Sequence, residues 1–172
     1  MVDVSVIDTN VLLVANGSHA CVSPQCVISC VERLQRIQTT GIVAVDAGWL
    51  MVGEYQNKTR PNQPKGVGDA FLKWLLQNQF NSKRCVRVEL TQVAENCFEQ
   101  FPVDQRLADF DPSDCKFVAV AAAHPDRPPI LQAVDSKWLE WAPILEDNGV
   151  NVEFLCLDDV AAFRRNCGTG DG

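Results

Sequence analysis

The chain has 172 residues, of which 47% are hydrophobic and 22% are charged. This length and composition fit one globular domain that buries a sizeable core without disulfide staples, and they argue against a disordered segment. The formal net charge of −7 at pH 7 argues against a broad cationic surface for nucleic acid, although a nuclease with an acidic catalytic site remains compatible with it.

Strand-like and helix-like segments alternate along the chain. Short apolar runs predict five β-strands: Asp3–Asp8, Ile42–Val45, Cys85–Glu89, Pro129–Val134 and Val150–Cys156. Helical spacing of apolar residues predicts the helices Pro24–Thr39, Ala47–Lys58, Gly68–Gln79, Gln92–Gln100, Pro112–His124, Lys137–Asn148 and, last, Asp158–Arg165. This alternation predicts an α/β fold with a mostly parallel sheet and helices on both faces.

The sequence shows no recognisable secretion signal or membrane span. Its first ten residues lack a basic segment, and Asp3 and Asp8 interrupt their apolar run. No stretch reaches about 18 apolar residues. We therefore expect a cytoplasmic protein, and we interpret residues 1–172 as one domain in which about residues 166–172 form a flexible tail.

Eight cysteines raise the question of a disulfide framework or a zinc site. A chain of this size without an export signal does not need disulfides. The C-x4-C-x3-C spacing of Cys21, Cys26 and Cys30 lacks the paired C-x2-C knuckles and the histidines typical of structural zinc sites. We expect free thiols that serve as small buried apolar groups, with Cys26 and Cys30 on one helix face.

Aspartates follow two of the predicted strands. Asp8 sits at the carboxyl end of the first strand, and Asp135 sits at the carboxyl end of the fourth, within "ILQAVDSKW". In open parallel sheets, ligands bind beyond the carboxyl ends of the strands, near the point where the strand order reverses. We therefore expect the two strands to deliver carboxylates to the same edge of the sheet.

Two further acids fall on apolar helix faces. In "AGWLMVGEY", Glu54 shares the helical spacing of the apolar residues, and in "DPSDCKFVAVAAAH", Asp114 heads a row of apolar residues at the same spacing. A carboxylate on such a face needs a charged partner, a proton or a metal ion. The four acids together therefore predict a common site.

Each acid also has a plain structural interpretation. Asp8 could cap the turn that follows it, and Asp135 could be the N-cap of the next helix. Asp111 precedes a proline and could be an N-cap, with Asp114 in a capping-box position after it. Glu54 could be a half-exposed surface residue. All of these interpretations would have to hold together to dismiss the pattern.

If the four acids meet, their charges repel one another. Two unit charges about 4 Å apart interact by roughly 4 kcal/mol at an effective dielectric of 20. Mg²⁺ or Mn²⁺ prefers oxygen ligands and would remove this repulsion. The two histidines, His19 and His124, are predicted in a loop and at a helix end, so they offer no zinc cluster. Such a site indicates phosphoryl chemistry by metal-activated water.

Four elements, in this order, resemble the signatures of the PIN-domain family: "VIDTNVLL", Glu54 on the helix after the second strand, "DCKFVAVAAAH" and "AVDSKW". The resemblance covers about residues 2–157. It implies a three-layer α/β/α sandwich with a central five-stranded sheet, and an endoribonuclease that uses one or two Mg²⁺ or Mn²⁺ ions. Many members are toxins of toxin–antitoxin pairs, which implies an antitoxin and a second copy of the chain as possible partners.

The resemblance also implies roles for particular residues. The catalytic, metal-binding acids would be Asp8, Glu54, Asp114 and Asp135. Thr9 and Asn10 are placed to orient Asp8 around an ion, and the resemblance adds Ser136 as a polar neighbour of the metal.

Two departures from the family's usual pattern open an alternative. Ala133 stands where a threonine is frequent, and Lys137 stands where another acid is frequent. Lys137 could contact a phosphate, or it could mark a catalytically weak or inactive module that binds RNA or protein. The segment "NKTRPNQPKGVG", with Lys58, Arg60 and Lys65, is a candidate RNA-contacting flap or else a solvated loop.

Overall fold

The structure is a computed structural model that describes the backbone of residues 2–166 and the side chains of residues 2–162. The described residues form the strands β1 Val4–Ile7, β2 Ile42–Asp46, β3 Cys85–Val88, β4 Gln92–Ala94, β5 Cys97–Phe98, β6 Ile130–Gln132 and β7 Val152–Phe154. They also form the helices α1 Thr9–Ala15, α2 Pro24–Thr40, α3 Leu50–Lys58, α4 Val67–Asn78, α5 Cys115–Ala123, α6 Lys137–Asp147 and α7 Leu157–Asn166. The tail predicted at 166–172 lies, beyond its first residue, outside the described residues.

Five parallel strands form the central sheet, in the order β3-β2-β1-β6-β7. Helices flank the sheet, so the predicted three-layer α/β/α architecture is confirmed. The strand order reverses between β1 and β6, which pair in the register Val6↔Ile130 and Ile7↔Leu131. This junction is the topological switch point of the sheet, where parallel α/β folds bind ligands.

The core lies around β1 and the helix α5. Val6 and Ile7 are fully buried, as expected of a central parallel strand covered on both faces. Residues 116–121 of α5 are all buried, and this helix contacts β1, β2 and β6. Because α5 is apolar all round except for one lysine, it can be covered on every side. The residue before it, Asp114, lies close enough to Asp8 for its charge to act on that residue.

Two elements differ from the sequence-based predictions. The predicted helix Gln92–Gln100 is wrong, because β4 and β5 form a small antiparallel hairpin there. Asn96 turns this hairpin with a φ of 57°, a left-handed conformation that asparagine tolerates well. The helix α1 was not predicted, because its seven residues are buried on most sides and show no helical alternation of polar and apolar positions.

The helix predicted at Ala47–Lys58 begins only at Leu50, because Trp49 adopts a left-handed φ of 67°. Its buried face consists of Met51, Val52 and Tyr55, whereas Leu50 is 38% exposed. The predicted buried face was therefore off by about one position.

Cys26 and Cys156 form a disulfide, which contradicts the expectation of free thiols for these two residues. The bond joins positions 130 residues apart, so only the folded chain reveals the pairing. Among the described cysteines, the free thiols are Cys21, Cys30, Cys85, Cys97 and Cys115. No helix in the described part of the chain is both long and apolar enough to cross a membrane.

Candidate active site at the switch point

Asp8 follows β1 directly and is the N-cap of α1. Its Oδ1 atom accepts a hydrogen bond of 2.9 Å from the backbone N–H of Asn10. The residue is only 5% exposed. The capping interpretation of Asp8 is therefore confirmed, but this hydrogen bond occupies only one of the two carboxylate oxygens.

The environment of Asp8 disfavours its charged form. Burial raises the pKa of Asp8 from 3.8 to about 8, and the nearby carboxylate of Asp114 contributes to the rise. The charges of Asp135 and Glu54 act in the same direction, while the hydrogen bond from Asn10 opposes them. The fold thus brings the four acids singled out in the sequence within electrostatic range of one another.

Asp114 occupies a similar environment. Burial raises its pKa from 3.8 to about 7, and the carboxylates of Asp111 and Asp135 raise it further. Lys116 lowers the pKa, and Glu54 raises it by a smaller amount. The buried carboxyl group of Asp8 and the half-buried carboxyl group of Asp114 therefore both resist ionisation unless a cation joins them.

Asp114 does not act as a helix cap. It stands at the N-cap position of α5, but its side chain makes no capping hydrogen bond. Asp111 instead caps the short 3₁₀ helix Pro112–Asp114, where its Oδ1 accepts hydrogen bonds from the backbone N–H and the hydroxyl of Ser113. The predicted cap at Asp111 is confirmed, and Asp114 occupies the third position of this 3₁₀ helix, where the capping-box interpretation placed it.

Asp135 lies in the turn between β6 and α6 and is half-buried. Its Oδ1 accepts a hydrogen bond of 3.1 Å from the backbone N–H of Lys137. Ser136 occupies the N-cap position of α6, but its side chain makes no capping hydrogen bond. Asp135 therefore supports the first turn of α6 with one oxygen, as Asp8 does for α1.

Asn10 connects the two central strands across the switch point. Its side-chain N–H₂ donates to Oε1 of Gln132, and its Oδ1 accepts from the backbone N–H of Ala133 at 3.0 Å. Gln132 is fully buried. The expected role of Asn10 as a positioning residue fits this bridge, which fixes the start of α1 relative to the end of β6.

Glu54 is paired with a lysine that the sequence analysis did not single out. Nζ of Lys116 lies 2.5 Å from Oε2 of Glu54, and the hydroxyl of Thr9 donates to Oε1 at 2.5 Å. Lys116 also donates to the carbonyl oxygen of Ser113 and lies 4.7 Å from the ring centre of Phe117. Both oxygens of Glu54 therefore have partners, and the acid is half-exposed, as its structural interpretation allowed.

Lys116 and Tyr55 are, like Gln132, site residues that sequence reasoning missed. Lys116 is only 7% exposed and is the single charged residue within α5, a signal visible in "CKFVAVAAA". The hydroxyl of Tyr55 donates to the carbonyl oxygen of Ile7 and so ties α3 to the end of β1. Nothing in the spacing of the sequence points to this tyrosine.

The candidate RNA-contacting residues are exposed. Lys58 ends α3, and Arg60 and Lys65 lie in the loop between α3 and α4. Backbone N–H groups of Arg60 and Lys65 donate to the carboxylate of Asp69 at 2.8 and 3.0 Å, so this loop is fixed to the first turn of α4. Nζ of Lys137 lies 3.7 Å from Oδ2 of Asp111.

The kind of donor fits a hard divalent cation, because the four acids at the site offer carboxylate oxygens as ligands. The carboxylates of the four acids are widely spaced, since no three of them have ligand atoms that all lie within 4.8 Å of one another. In the described part of the chain, the one group of three His, Cys, Asp or Glu side chains that meets this distance is Cys26, Cys30 and Cys156. Mg²⁺ takes one or two carboxylates directly and keeps several waters, so water can bridge the remaining distance.

Comparisons of this chain with models of protein families, with curated proteins and with solved structures gave no match in any of the three. The function therefore has to be argued from the geometry of the switch point.

Proposed function

We propose that the protein is a metal-dependent endoribonuclease of the PIN type, which hydrolyses RNA phosphodiester bonds with Mg²⁺ or Mn²⁺. One observation carries the proposal: the charge of Asp114 raises the pKa of the buried Asp8 carboxyl group at the switch point, and the charge of Asp135 raises the pKa of both groups. A fold that only needed helix caps would not gather uncompensated acids where ligands bind.

The elevated pKa values support the proposal of a cation at this site. At neutral pH, the carboxyl groups of Asp8 and Asp114 must either keep a proton or repel a neighbouring carboxylate. A divalent ion replaces the protons and converts the repulsion into attraction. When bound, the ion would lower the pKa of a water molecule and stabilise the charge that develops on the phosphate.

The residues of the chain would divide the work as follows. Asp8, Asp114 and Asp135 would hold the ion, directly or through water. Asn10 would fix the positions of Asp8 and Asp135 relative to each other, because its side chain bridges α1 and the end of β6. This rigid support matters because carboxylates must be held close to the productive geometry.

Lys116 makes one ion the better assignment than two. Its ammonium group already neutralises Glu54, so this acid does not need a second cation. We assign Glu54 to a fixed ion pair beside the metal, in which Thr9 sets its orientation. The pair adds no net charge to the site.

The RNA strand would approach over the exposed cations. Lys58 lies one helical turn beyond Glu54 on the same side of α3, and Arg60 and Lys65 continue from it. Lys137 would contact phosphate on the other side, beside Asp111. Such contacts to phosphate do not depend on the sequence of the RNA.

A module that binds RNA or a protein without cutting is the second candidate. The Glu54–Lys116 ion pair and the wide spacing of the carboxylates favour it. A toxin role with an antitoxin partner and a homodimer are proposals that follow from the same family resemblance. The cytoplasm as compartment is a separate proposal, which the resemblance does not supply.

The deciding experiment measures cleavage of a single-stranded RNA in Mg²⁺, in Mn²⁺ and in EDTA. We expect metal-dependent cutting that leaves a 5′-phosphate and a 3′-hydroxyl, and its loss in Asp8→Asn. Residual cleavage that is equal in wild type and Asp8→Asn would indicate a contaminant, and a 2′,3′-cyclic phosphate would contradict attack by water. Metal-independent RNA binding without cleavage would establish the second candidate.

A further inference from the structure

Three cysteines from distant parts of the chain meet at one buried place. Cys26 lies in the first turn of α2, Cys30 one turn later, and Cys156 between β7 and α7. Their exposed fractions are 2%, 0% and 6%. Besides the Cys26–Cys156 disulfide, Sγ of Cys30 lies 3.9 Å from Sγ of Cys156, and all three sulfurs lie within 4.8 Å of one another.

This spacing fits a thiolate metal site. A Zn–S bond is about 2.3 Å long, so two sulfurs on a tetrahedral zinc ion are about 3.8 Å apart. Cys30 and Cys156 already stand at 3.9 Å. Once the disulfide is reduced, Cys26 needs only to withdraw from Cys156 by a small side-chain movement to reach the same separation.

Charge favours zinc over a monovalent soft ion. Three thiolates leave a net charge of −1 around Zn²⁺ but −2 around Cu⁺. A smaller residual charge costs less in a buried place. The carboxylate of Asp159 is held nearby by the backbone N–H and hydroxyl of Ser23, at 2.6 and 2.8 Å, and it adds a further negative charge to the surroundings.

A surface groove gives access to the cluster. Its volume is about 400 Å³, and its lining includes Cys26, Cys156, Ser29 and Asp159. Water from the groove can supply the fourth ligand that zinc requires when the protein offers three.

We propose that Cys26, Cys30 and Cys156 form a Zn²⁺ site when the disulfide is reduced, so that the disulfide and the zinc ion are alternative links at the same place. A dithiol reductant transfers two electrons and two protons to the Cys26–Cys156 bond and becomes a disulfide itself. Zinc then binds the three sulfurs and releases their protons. In a compartment that keeps thiols reduced, the zinc form prevails.

Both forms join the same two parts of the fold. Each one ties the first turn of α2 to the junction of β7 and α7, which lie at the margin of the sheet. The edge strand β7 pairs with β6 alone, so it depends on such a link more than a central strand does. The proposal is independent of the carboxylate site and survives its failure.

The test uses Co²⁺ as a spectroscopic probe and Zn²⁺ for stoichiometry, on the full chain. Wild-type protein is reduced with a phosphine, freed of reductant without oxygen, and compared with the oxidised form. Only sulfur ligands give thiolate-to-cobalt charge-transfer absorption, so the carboxylate site stays silent. We expect this absorption and one tightly bound Zn²⁺ per chain in the reduced form, and no such absorption in the oxidised form.

Variants separate the cluster from the other thiols. Cys30→Ser should weaken Zn²⁺ binding at least about 10-fold, in line with the loss of one ligand. Cys21→Ser, which changes an exposed cysteine outside the cluster, should leave it unchanged. Reduced wild type without the absorption would overturn the proposal, as would absorption that Cys30→Ser leaves intact. If Cys30→Ser folds poorly, the comparison of reduced and oxidised wild type decides alone.

Discussion

Asp8 and Asp46 end neighbouring strands of the same sheet, and both are buried aspartates that support the helix after them. Asp46 is 3% exposed, and its two oxygens accept hydrogen bonds from the backbone N–H groups of Met51 and Leu50 at 2.8 and 2.9 Å. Asp8 is 5% exposed and accepts one such bond, from Asn10. The two positions look alike in sequence and differ in how completely their charge is satisfied.

The difference separates a structural carboxylate from a candidate ligand. At Asp46, the backbone satisfies both oxygens, so burial is compensated within the fold. At Asp8, burial and the neighbouring carboxylate of Asp114 raise the pKa to about 8, so the fold does not compensate the charge of this carboxylate. A buried acid whose charge is compensated within the fold has a structural role, whereas a buried acid whose charge is not compensated indicates a bound ligand.

The largest expected effect on activity comes from replacing Asp8 with asparagine. Asp8→Asn should lower metal-dependent RNA cleavage at least about 100-fold, because it removes a carboxylate that would hold the ion. The same change should raise the thermal midpoint in EDTA, because asparagine still caps a helix and carries no charge. RNA cleavage and thermal unfolding in EDTA, measured on one protein preparation, check both statements.

Asp46→Asn is the matched control and should behave in the opposite way. It replaces one accepting oxygen by an N–H₂ group that faces a backbone N–H, which should cost about 1–3 kcal/mol in the free energy of unfolding. Cleavage below the unfolding transition should stay within about 2-fold of wild type. Equal losses of activity in both variants would show that the site at Asp8 has no special role.

Lys116→Met tests whether the ion pair between Lys116 and Glu54 stabilises the fold when no metal ion is bound. Removing this buried ammonium leaves the Glu54 carboxylate unpaired beside other acids, which should cost about 2 kcal/mol in EDTA after allowance for the partial exposure of Glu54. The double variant Lys116→Met with Glu54→Gln should recover most of this loss. Urea unfolding of the two single variants and the double variant gives the coupling energy. Additive losses would contradict a direct pair.

The metal-free protein should lose stability as pH rises. The folded-state pKa values of Asp8 and Asp114, about 8 and about 7, lie above their ordinary value of 3.8. Between pH 3.8 and about 8 the folded chain keeps protons on these two acids that the unfolded chain has released. The free energy of unfolding therefore falls as pH rises and levels off above about pH 8. Saturating Mg²⁺ should flatten this fall. Thermal midpoints from pH 5 to 8.5, with EDTA or Mg²⁺, measure it, and Asp8→Asn should have a shallower slope.

The smallest expected effect concerns RNA affinity at the exposed cations. Lys58→Ala, Arg60→Ala or Lys65→Ala should each weaken binding to single-stranded RNA and reduce the salt slope of log K by about 0.7 for each phosphate that the variant no longer neutralises. Lys83→Ala is the control, because Lys83 is exposed and precedes β3, so it lies at the amino end of a strand, whereas the acids lie at the carboxyl ends. An effect at Lys83 as large as at Lys58 would indicate unspecific attraction.

The parallel sheet was predictable from the sequence, because its strands are apolar runs separated by segments in which apolar residues have helical spacing. It also pointed to Asp8 and Asp135, because the carboxyl ends of parallel strands face one edge of the sheet, and to Asp114 and Glu54, because they share the spacing of apolar residues on a helix. It could not reveal that Lys116 reaches Glu54 or that Cys26 meets Cys156, since both pairs are formed by packing between distant segments. The hairpin at residues 92–98 was missed because the turn at Asn96 lies among residues that suit a helix.

The disulfide also determines what a protease could separate. It joins residue 26 to residue 156, and the exposed loop between α3 and α4 lies between these positions. A cut in that loop would divide the acids into two peptides, with Asp8 and Glu54 on one and Asp114 and Asp135 on the other. As long as the sulfur bond persists, the nicked chain would still migrate as one molecule on a non-reducing gel and fall into two fragments only after reduction.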